Sequence, residues 1–235
     1  MNYVPIVVFL FISYKQKMKK AIVIGATGLV GAQLIELLIE NQEYSEIVTL
    51  VRRSSGKSNP KLSEHIINFD EQESWSNLIK GDVLFSAMGT TLAQAKTKEA
   101  QYKVDYTYQL TVAQLAAKNG VPHYVLVSAA GATPKSNNFY WKMKGQLEMA
   151  VQTLPFKIIS LLKPGLITGD RVHNRPGEKI AFIILTVLNK LGLFKRYKPI
   201  TGRLIAKAMI QAEKKRFSET YTFDEIFKLA ETLDQ

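Results

Sequence analysis

The stretch Lys20–Arg53 constrains this chain more than any other, because it reads as strand, glycine turn, helix and strand in that order. Ala21–Ile24 is a short apolar, β-branched run, the composition of a strand buried on both faces. It runs into Gly25-Ala26-Thr27-Gly28-Leu29-Val30-Gly31, then into the helical pattern Leu34-Ile35-Leu37-Leu38, then into a second buried run, Ile47–Val51. Glycines in this setting have separate tasks. One permits the tight turn out of the strand, one lets a pyrophosphate approach the backbone, and one lets the helix pack on the sheet. The helix start adds unpaired N–H groups and a positive dipole end for the phosphates. Glycine turns are common, but with a strand before, a helix after and a second strand about twenty residues on, the unit reads as dinucleotide-binding. Its candidate contacts are Gly25, Thr27, Gly28, Leu29, Val30 and Gly31.

The end of the second strand points to the cofactor. NAD-preferring sites place Asp or Glu there, on the ribose 2′-hydroxyl. Here the chain has Arg52, Arg53, Ser54 and Ser55 instead, and two guanidiniums can fork onto a 2′-phosphate. The expectation is NADP(H) rather than NAD(H).

At 235 residues the chain suits one α/β domain with a sizeable core. Cysteine is absent, which excludes disulfides, thiol nucleophiles and thiolate metal sites and fits a reducing compartment. The three histidines, His65, His123 and His173, have no ligand spacing, so no metal site is expected. The net charge of +11 is concentrated at Lys15–Lys20 and at Asn189–Arg203, with no nucleic-acid module signature beside it. A basic surface or a pocket for anionic ligands accounts for it. The expectation is a cytoplasmic protein that takes a small-molecule substrate and binds no nucleic acid; a protein partner or a homodimer is compatible with the sequence.

Residues 3–14 form an apolar run too short for a spanning helix, which needs ~20 residues. It lacks a basic n-region and a small-residue cleavage site. Met18-Lys19-Lys20 has the look of a natural start, so residues 1–17 are expected to lie outside the fold, with no stable membrane insertion. The rival is a membrane-associating segment, whose lysines would keep the main domain in the cytoplasm.

Further along, Ser54–Lys61 reads as a plain polar loop and His65–Phe69 as a third strand, with Asn68, Phe69 and Asp70 where such folds pass the adenine ring. Asp82–Ala87 is a fourth strand leading through Met88 into Gly89-Thr90-Thr91, at a strand end where open α/β sheets bind ligands. Ala93–Lys118 reads as helix, interrupted near Glu99–Lys103, and Tyr124–Val127 is the fifth strand. Lys157–Leu162 is the sixth, turned outward by Pro164-Gly165. Residues 165–235 are expected to form a small substrate-side cap. Within it lie the apolar helix Ile180–Leu191, the amphipathic Arg203–Ala212, a short strand at Thr220–Phe223 and a helix Glu225–Leu233 capped by Asp224.

The chemistry is carried behind the fifth strand. It ends at Ser128; twelve residues later comes Tyr140, and four further on Lys144. A spacing of four puts Tyr140 and Lys144 on one helix face. A phenol with pKa ≈ 10 is a poor acid–base group at neutral pH, and a nearby ammonium stabilises its anion. Ser128 is placed to hold a substrate oxygen during proton transfer.

In these residues the chain resembles the short-chain dehydrogenase/reductase superfamily. The spacing of Gly25, Gly28 and Gly31 is that of its extended and atypical branches. Met88-Gly89-Thr90-Thr91, Val104-Asp105-Tyr106, Asn138-Phe139-Tyr140 through Lys144-Gly145, and Lys163-Pro164-Gly165 through Glu178 resemble the atypical group around the human Tat-interacting protein and its bacterial relatives. The resemblance implies a Rossmann-type doubly wound parallel sheet with helices on both faces, and catalytic Ser128, Tyr140 and Lys144. It implies that Lys144 also holds the nicotinamide ribose, that Ala87 and Met88–Thr91 line the cofactor, and that Pro164, Gly165, Leu166 and Ile167 flank the nicotinamide. Asp105 departs from the usual Asn and is left outside the proton relay; Lys163 departs from Arg. The implied function is an NADP(H)-dependent oxidoreductase acting on a small carbonyl or alcohol. The alternatives are an NADP(H)-sensing regulator with little turnover and a nucleotide-sugar epimerase or dehydratase.

Overall fold

The computed structural model describes residues 18–168 and 198–232. Residues 1–17, the apolar Ile180–Leu191 segment and the Gly169–Glu178 motif lie outside them. Seven strands form one wholly parallel sheet: β1 (Lys19–Ile24), β2 (Tyr44–Val51), β3 (Leu62–Ile66), β4 (Val83–Ser86), β5 (His123–Val127), β6 (Ile158–Lys163) and, after the pair β7 (Ile167–Thr168) and β8 (Ile200–Thr201), β9 (Glu219–Thr222). Their order is β3-β2-β1-β4-β5-β6-β9, so the chain winds outward in both directions from β1 and β4. That is the doubly wound Rossmann arrangement expected from the sequence, and its crevice lies at the carboxyl ends of the strands flanking the reversal.

Alternation along each strand explains why both faces are covered. Ala21 and Val23 of β1 point to one apolar core, with α1 (Leu29–Glu40) and two C-terminal helices; Ile22 and Ile24 point to the other. Val83 and Phe85 against Leu84, and Val125 and Val127 against Tyr124 and Leu126, repeat the split. The second core is closed by α2 (Gln72–Trp75), α5 (Gln109–Lys118) and α6 (Phe139–Gln152).

Four expectations are corrected in detail. The third strand is Leu62–Ile66 rather than His65–Phe69; Phe69 turns inward, edge-on to Trp75 at 5.8 Å and stacked on Tyr108 at 5.1 Å. The expected helix Ala93–Lys118 is α3 (Leu92–Ala95), α4 (Lys98–Tyr102), a π-helical turn Lys103–Tyr108 and α5. Its break falls earlier than expected, at Lys96, whose φ of 74° ends α3 before Thr97 caps α4. The last helix, α8 (Phe223–Glu231), is capped by Thr222 in a reciprocal box with Glu225, not by Asp224. Finally, residues 198–232, expected within a cap over 165–235, add to the main sheet and one of its cores. Strand β9 pairs with β6 in the main sheet, and α7 (Gly202–Glu213) packs on α1.

Candidate active site

At the carboxyl ends of β1, β4 and β5 lies a cleft of about 700 Å³. Its floor is the glycine turn. Gly25 has φ +81°, and a Cβ there would stand 2.5 Å from the Ala87 backbone; a Cβ on Gly31 would stand 2.1 Å from Gly25 O. Only glycine lets β1, β4 and the first turn of α1 approach so closely. Gly28 opens α1 with no side-chain cap, so the helix start faces the cleft uncovered by the protein's own side chains. On the opposite lip Thr91 Oγ1 is buried and has no hydrogen-bond partner. A bare helix start and, in a residue of the opposite lip, a buried hydroxyl left without a partner fit a phosphate-bearing cofactor. Gly28, Leu29 and Val30 would hold its pyrophosphate, and Met88–Thr91 its flank.

The loop after β2 supplies the outer end. Arg53 lines the cleft; Arg52, also exposed, does not. Ser54, Ser55 and Lys57 line it too, so the segment read as a plain loop belongs to the site. Two carboxylates shape this loop. Glu64 accepts from Ser54 Oγ at 2.7 Å and from Ser55 N at 3.0 Å, and Glu36 pairs with Lys57 at 2.7 Å.

The inner end is built by α6. Asn138 caps it, its Oδ1 accepting from Tyr140 N at 3.0 Å and Trp141 N at 3.2 Å, which fixes the first turn at the cleft edge. Tyr140 and Lys144 line the cleft together, as their spacing requires. Tyr140 is 36% exposed, whereas Lys144 is buried and donates to Val127 O at 3.2 Å. Ser128 is buried and gives its hydroxyl hydrogen to Glu148, whose other oxygen takes an ion pair from Lys163 at 2.9 Å. Lys163 also donates to Ala132 O at 2.9 Å, so one buried cluster ties β5, β6 and α6 behind the site.

Asp105 enters from the π turn. It is 1% exposed and lines the cleft, with Oδ1 accepting Thr90 N–H at 2.6 Å. Its backbone is anchored from below: Gln109 Nε2 donates to Asp105 O at 2.7 Å, and Ser86 Oγ donates to Gln109 at 2.7 Å. Burial pushes the Asp105 carboxyl up to about 6, against the pull of Lys144 and the Thr90 N–H. Burial pushes Lys144 down, opposed by Asp105 and then Glu148. Tyr140 is pushed up to about 12, by burial first and by Asp105 second. The lowering of Tyr140 expected from a neighbouring ammonium is therefore reversed.

Of the predicted residues, Thr27, Gly28, Leu29, Val30, Arg53, Ala87, Met88, Gly89, Thr90, Thr91, Ser128, Tyr140, Lys144 and Ile167 meet in the cleft. Gly25 and Gly31 shape it from beneath without lining it. Phe69 is a core residue, while Pro164, Gly165 and Leu166 lie back from the lining. Gln33, Gln94, Lys57 and Asp105 line it and were missed as contacts. Glu148 was missed as well, although its spacing of four from Lys144 and eight from Tyr140 was a usable signal.

Comparison with known proteins agrees with this picture. The family model described as NAD dependent epimerase/dehydratase family matches residues 21–227, and the chain belongs to that family. Among curated proteins, "Protein fmp52, mitochondrial" of Emericella nidulans is 36% identical over 181 residues, covering 74% of this chain and 78% of that protein. "Protein FMP52, mitochondrial" of Saccharomyces cerevisiae is 37% identical over 158 residues, covering 66% and 68%. Among solved structures, UDP-glucose 4-epimerase of Thermus thermophilus in complex with NAD has a TM-score of 0.67 at 16% identity, covering 92% of this chain and 84% of that one. The Bordetella bronchiseptica enzyme WbmH in complex with NAD+ has a TM-score of 0.65 at 18% identity, covering 87% and 76%. At such identities the structures show a shared fold. The cytoplasmic expectation is corrected here, because both curated relatives carry mitochondrial names.

Proposed function

We propose that this member of the epimerase/dehydratase family is an NADP(H)-dependent oxidoreductase acting on a small carbonyl or alcohol. The observation that carries the reading is that Tyr140 and Lys144 line the same cleft as the bare start of α1. The bound dinucleotide would supply or accept hydride. Tyr140 then serves the substrate oxygen, giving its phenolic proton as a carbonyl is reduced or taking one as an alcohol is oxidised. Lys144, buried beneath it, lends positive charge to the phenolate left after proton loss and holds the ribose. Ser128, with its hydrogen committed to Glu148, offers lone pairs and so accepts from a substrate hydroxyl. Arg53 and Lys57 support the choice of a 2′-phosphate over a 2′-hydroxyl, since the nearby carboxylates are engaged with Ser54, Ser55 and Lys57. The names of the curated relatives support a mitochondrial setting.

The test is turnover by the full chain with NADPH across small aldehydes, ketones and quinones. Tyr140→Phe should abolish turnover while changing NADPH affinity less than about threefold, well under the ~1.4 kcal/mol of a tenfold change. Retained turnover would remove Tyr140 from the reaction. The family description favours one other reading, epimerisation or dehydration of a nucleotide-linked sugar. An enzyme of that kind regenerates its own cofactor, so oxidised dinucleotide retained through purification would decide for it.

A further inference from the structure

We propose that the site selects carbonyl compounds carrying a hydroxyl on the neighbouring carbon, and that Glu148 is the positioning residue that makes Ser128 the acceptor for that hydroxyl. The inference rests on the oxidoreductase reading for the reacting carbonyl; the acceptor role of Ser128 stands on hydrogen bonds alone. Ser128 is 4% exposed and lines the cleft, and its Oγ donates to Glu148 Oε1. A serine hydroxyl has one hydrogen and two lone pairs, so the direction of that bond decides what remains for a ligand. Lys163 fixes the direction. Its ammonium pairs with Glu148 Oε2 at 2.9 Å and donates to Ala132 O at 2.9 Å, with both charged side chains largely buried. A carboxylate held by an ammonium is ionised and only accepts, so the hydrogen between Ser128 and Glu148 is the serine's. Turning it into the cleft would leave a buried carboxylate oxygen without its donor. The backbone holds the pair together as well. Thr133 N–H donates to Trp141 O at 3.1 Å, and a Cβ on Gly145 would stand 2.2 Å from the Thr133 backbone, so α6 is bolted to the loop that follows Ser128.

The consequence falls on the substrate. A carbonyl oxygen carries no hydrogen, so it has nothing to give Ser128; the phenol of Tyr140, lining the same cleft, is its donor. The lone pairs of Ser128 are matched only by a second group that brings its own hydrogen. On a small molecule that group is a hydroxyl beside the carbonyl. A plain ketone of the same size leaves the buried acceptor unmatched, and sites built around a polar partner reject analogues that lack it. The balance is that of a carbonyl reduction. The C=O π bond breaks, carbon takes hydride from the reduced dinucleotide and oxygen takes the Tyr140 proton. A 1,2-diol and the oxidised dinucleotide remain, and solvent at the exposed phenol returns the proton.

Three ketones of similar size separate the roles: hydroxyacetone offers a donor, methoxyacetone an oxygen without one, and 2-butanone neither. Each is titrated into the full chain with NADP+ present, so that the ketone cannot be reduced, and binding is read by ligand-observed NMR. Hydroxyacetone should bind about tenfold tighter than the other two. The margin should fall below about threefold in Ser128→Ala, which removes the acceptor. It should fall likewise in Glu148→Gln, where the amide oxygen turns to Lys163 and the amide N–H donates to Ser128, freeing the serine hydrogen. A merely structural role for Glu148 would weaken all three ketones alike and leave their ratio unchanged. No margin in the unmodified chain, or a margin that survives either variant, overturns the proposal. Turnover of the same ketones with NADPH keeps the two readings apart. Reduction of all three without a binding margin sinks the substrate class alone, and a margin without reduction supports the acceptor role of Ser128 while sinking the oxidoreductase reading.

Discussion

Ser128 gives its hydroxyl hydrogen to Glu148, so the serine at the head of the cleft is tied to the carboxylate that also holds Lys163. This buried cluster joins the ends of β5 and β6 to α6 and sets the depth at which Tyr140 and Lys144 stand. Breaking a buried ion pair from one side costs about 3–5 kcal/mol, because a charge is left unmatched. Glu148→Ala should fall near the lower end, since Lys163 keeps some contact with solvent. Ser128→Ala removes one hydrogen bond and should cost about 1 kcal/mol. Urea unfolding of the two variants checks the order; a larger loss for Ser128→Ala would contradict it.

Gly31→Ala should disable the cofactor cleft. The new methyl would meet Gly25 O at 2.1 Å, and relief requires either the turn or α1 to move. Dinucleotide affinity should drop at least tenfold, about 1.4 kcal/mol. Fluorescence titration reads the loss, and unchanged affinity would mean that the turn does not carry the ligand.

Two buried groups give stability opposite dependences on pH. Burial lowers His123 to about 4, so the unfolded chain binds the proton more readily and stability is lost as pH falls from about 6.5 through 4. Asp105 is raised to about 6, so its contribution is fully present below about 3.8 and lost as pH rises through 6. Each amounts to roughly 3 kcal/mol at the limit of its window. His123→Asn should flatten the acid side of the stability profile, and D105N should gain stability at pH 7.5 but not at pH 3.5. Denaturation midpoints at these two values check both signs.

Much of the fold was legible because its signals are local. The β1-α1-β2 unit announces itself through glycine spacing and buried runs, and the strands from β4 to β6 through apolar composition. The joint presence of Tyr140 and Lys144 in one cleft follows from helical spacing. What stayed hidden depends on contacts remote in sequence. Strand β9 matches the short strand expected at Thr220–Phe223, but its place in the main sheet comes from its pairing with β6. The π turn that presents Asp105 depends on Gln109 bonding to Asp105 O and Ser86, which no periodicity records. Ser54–Lys57 looked like an ordinary loop because its role arises where β2 ends beside α1, with Glu36 and Glu64 shaping it.

The most direct test of the account is the affinity of the full chain for NADPH against NADH, followed through the fluorescence of the reduced nicotinamide. The account predicts NADPH tighter by at least tenfold, about 1.4 kcal/mol, with that margin lost in Arg53→Ala/Lys57→Ala and largely kept in Arg52→Ala, whose side chain does not line the cleft. Equal or tighter binding of NADH, or no binding of either, would contradict it.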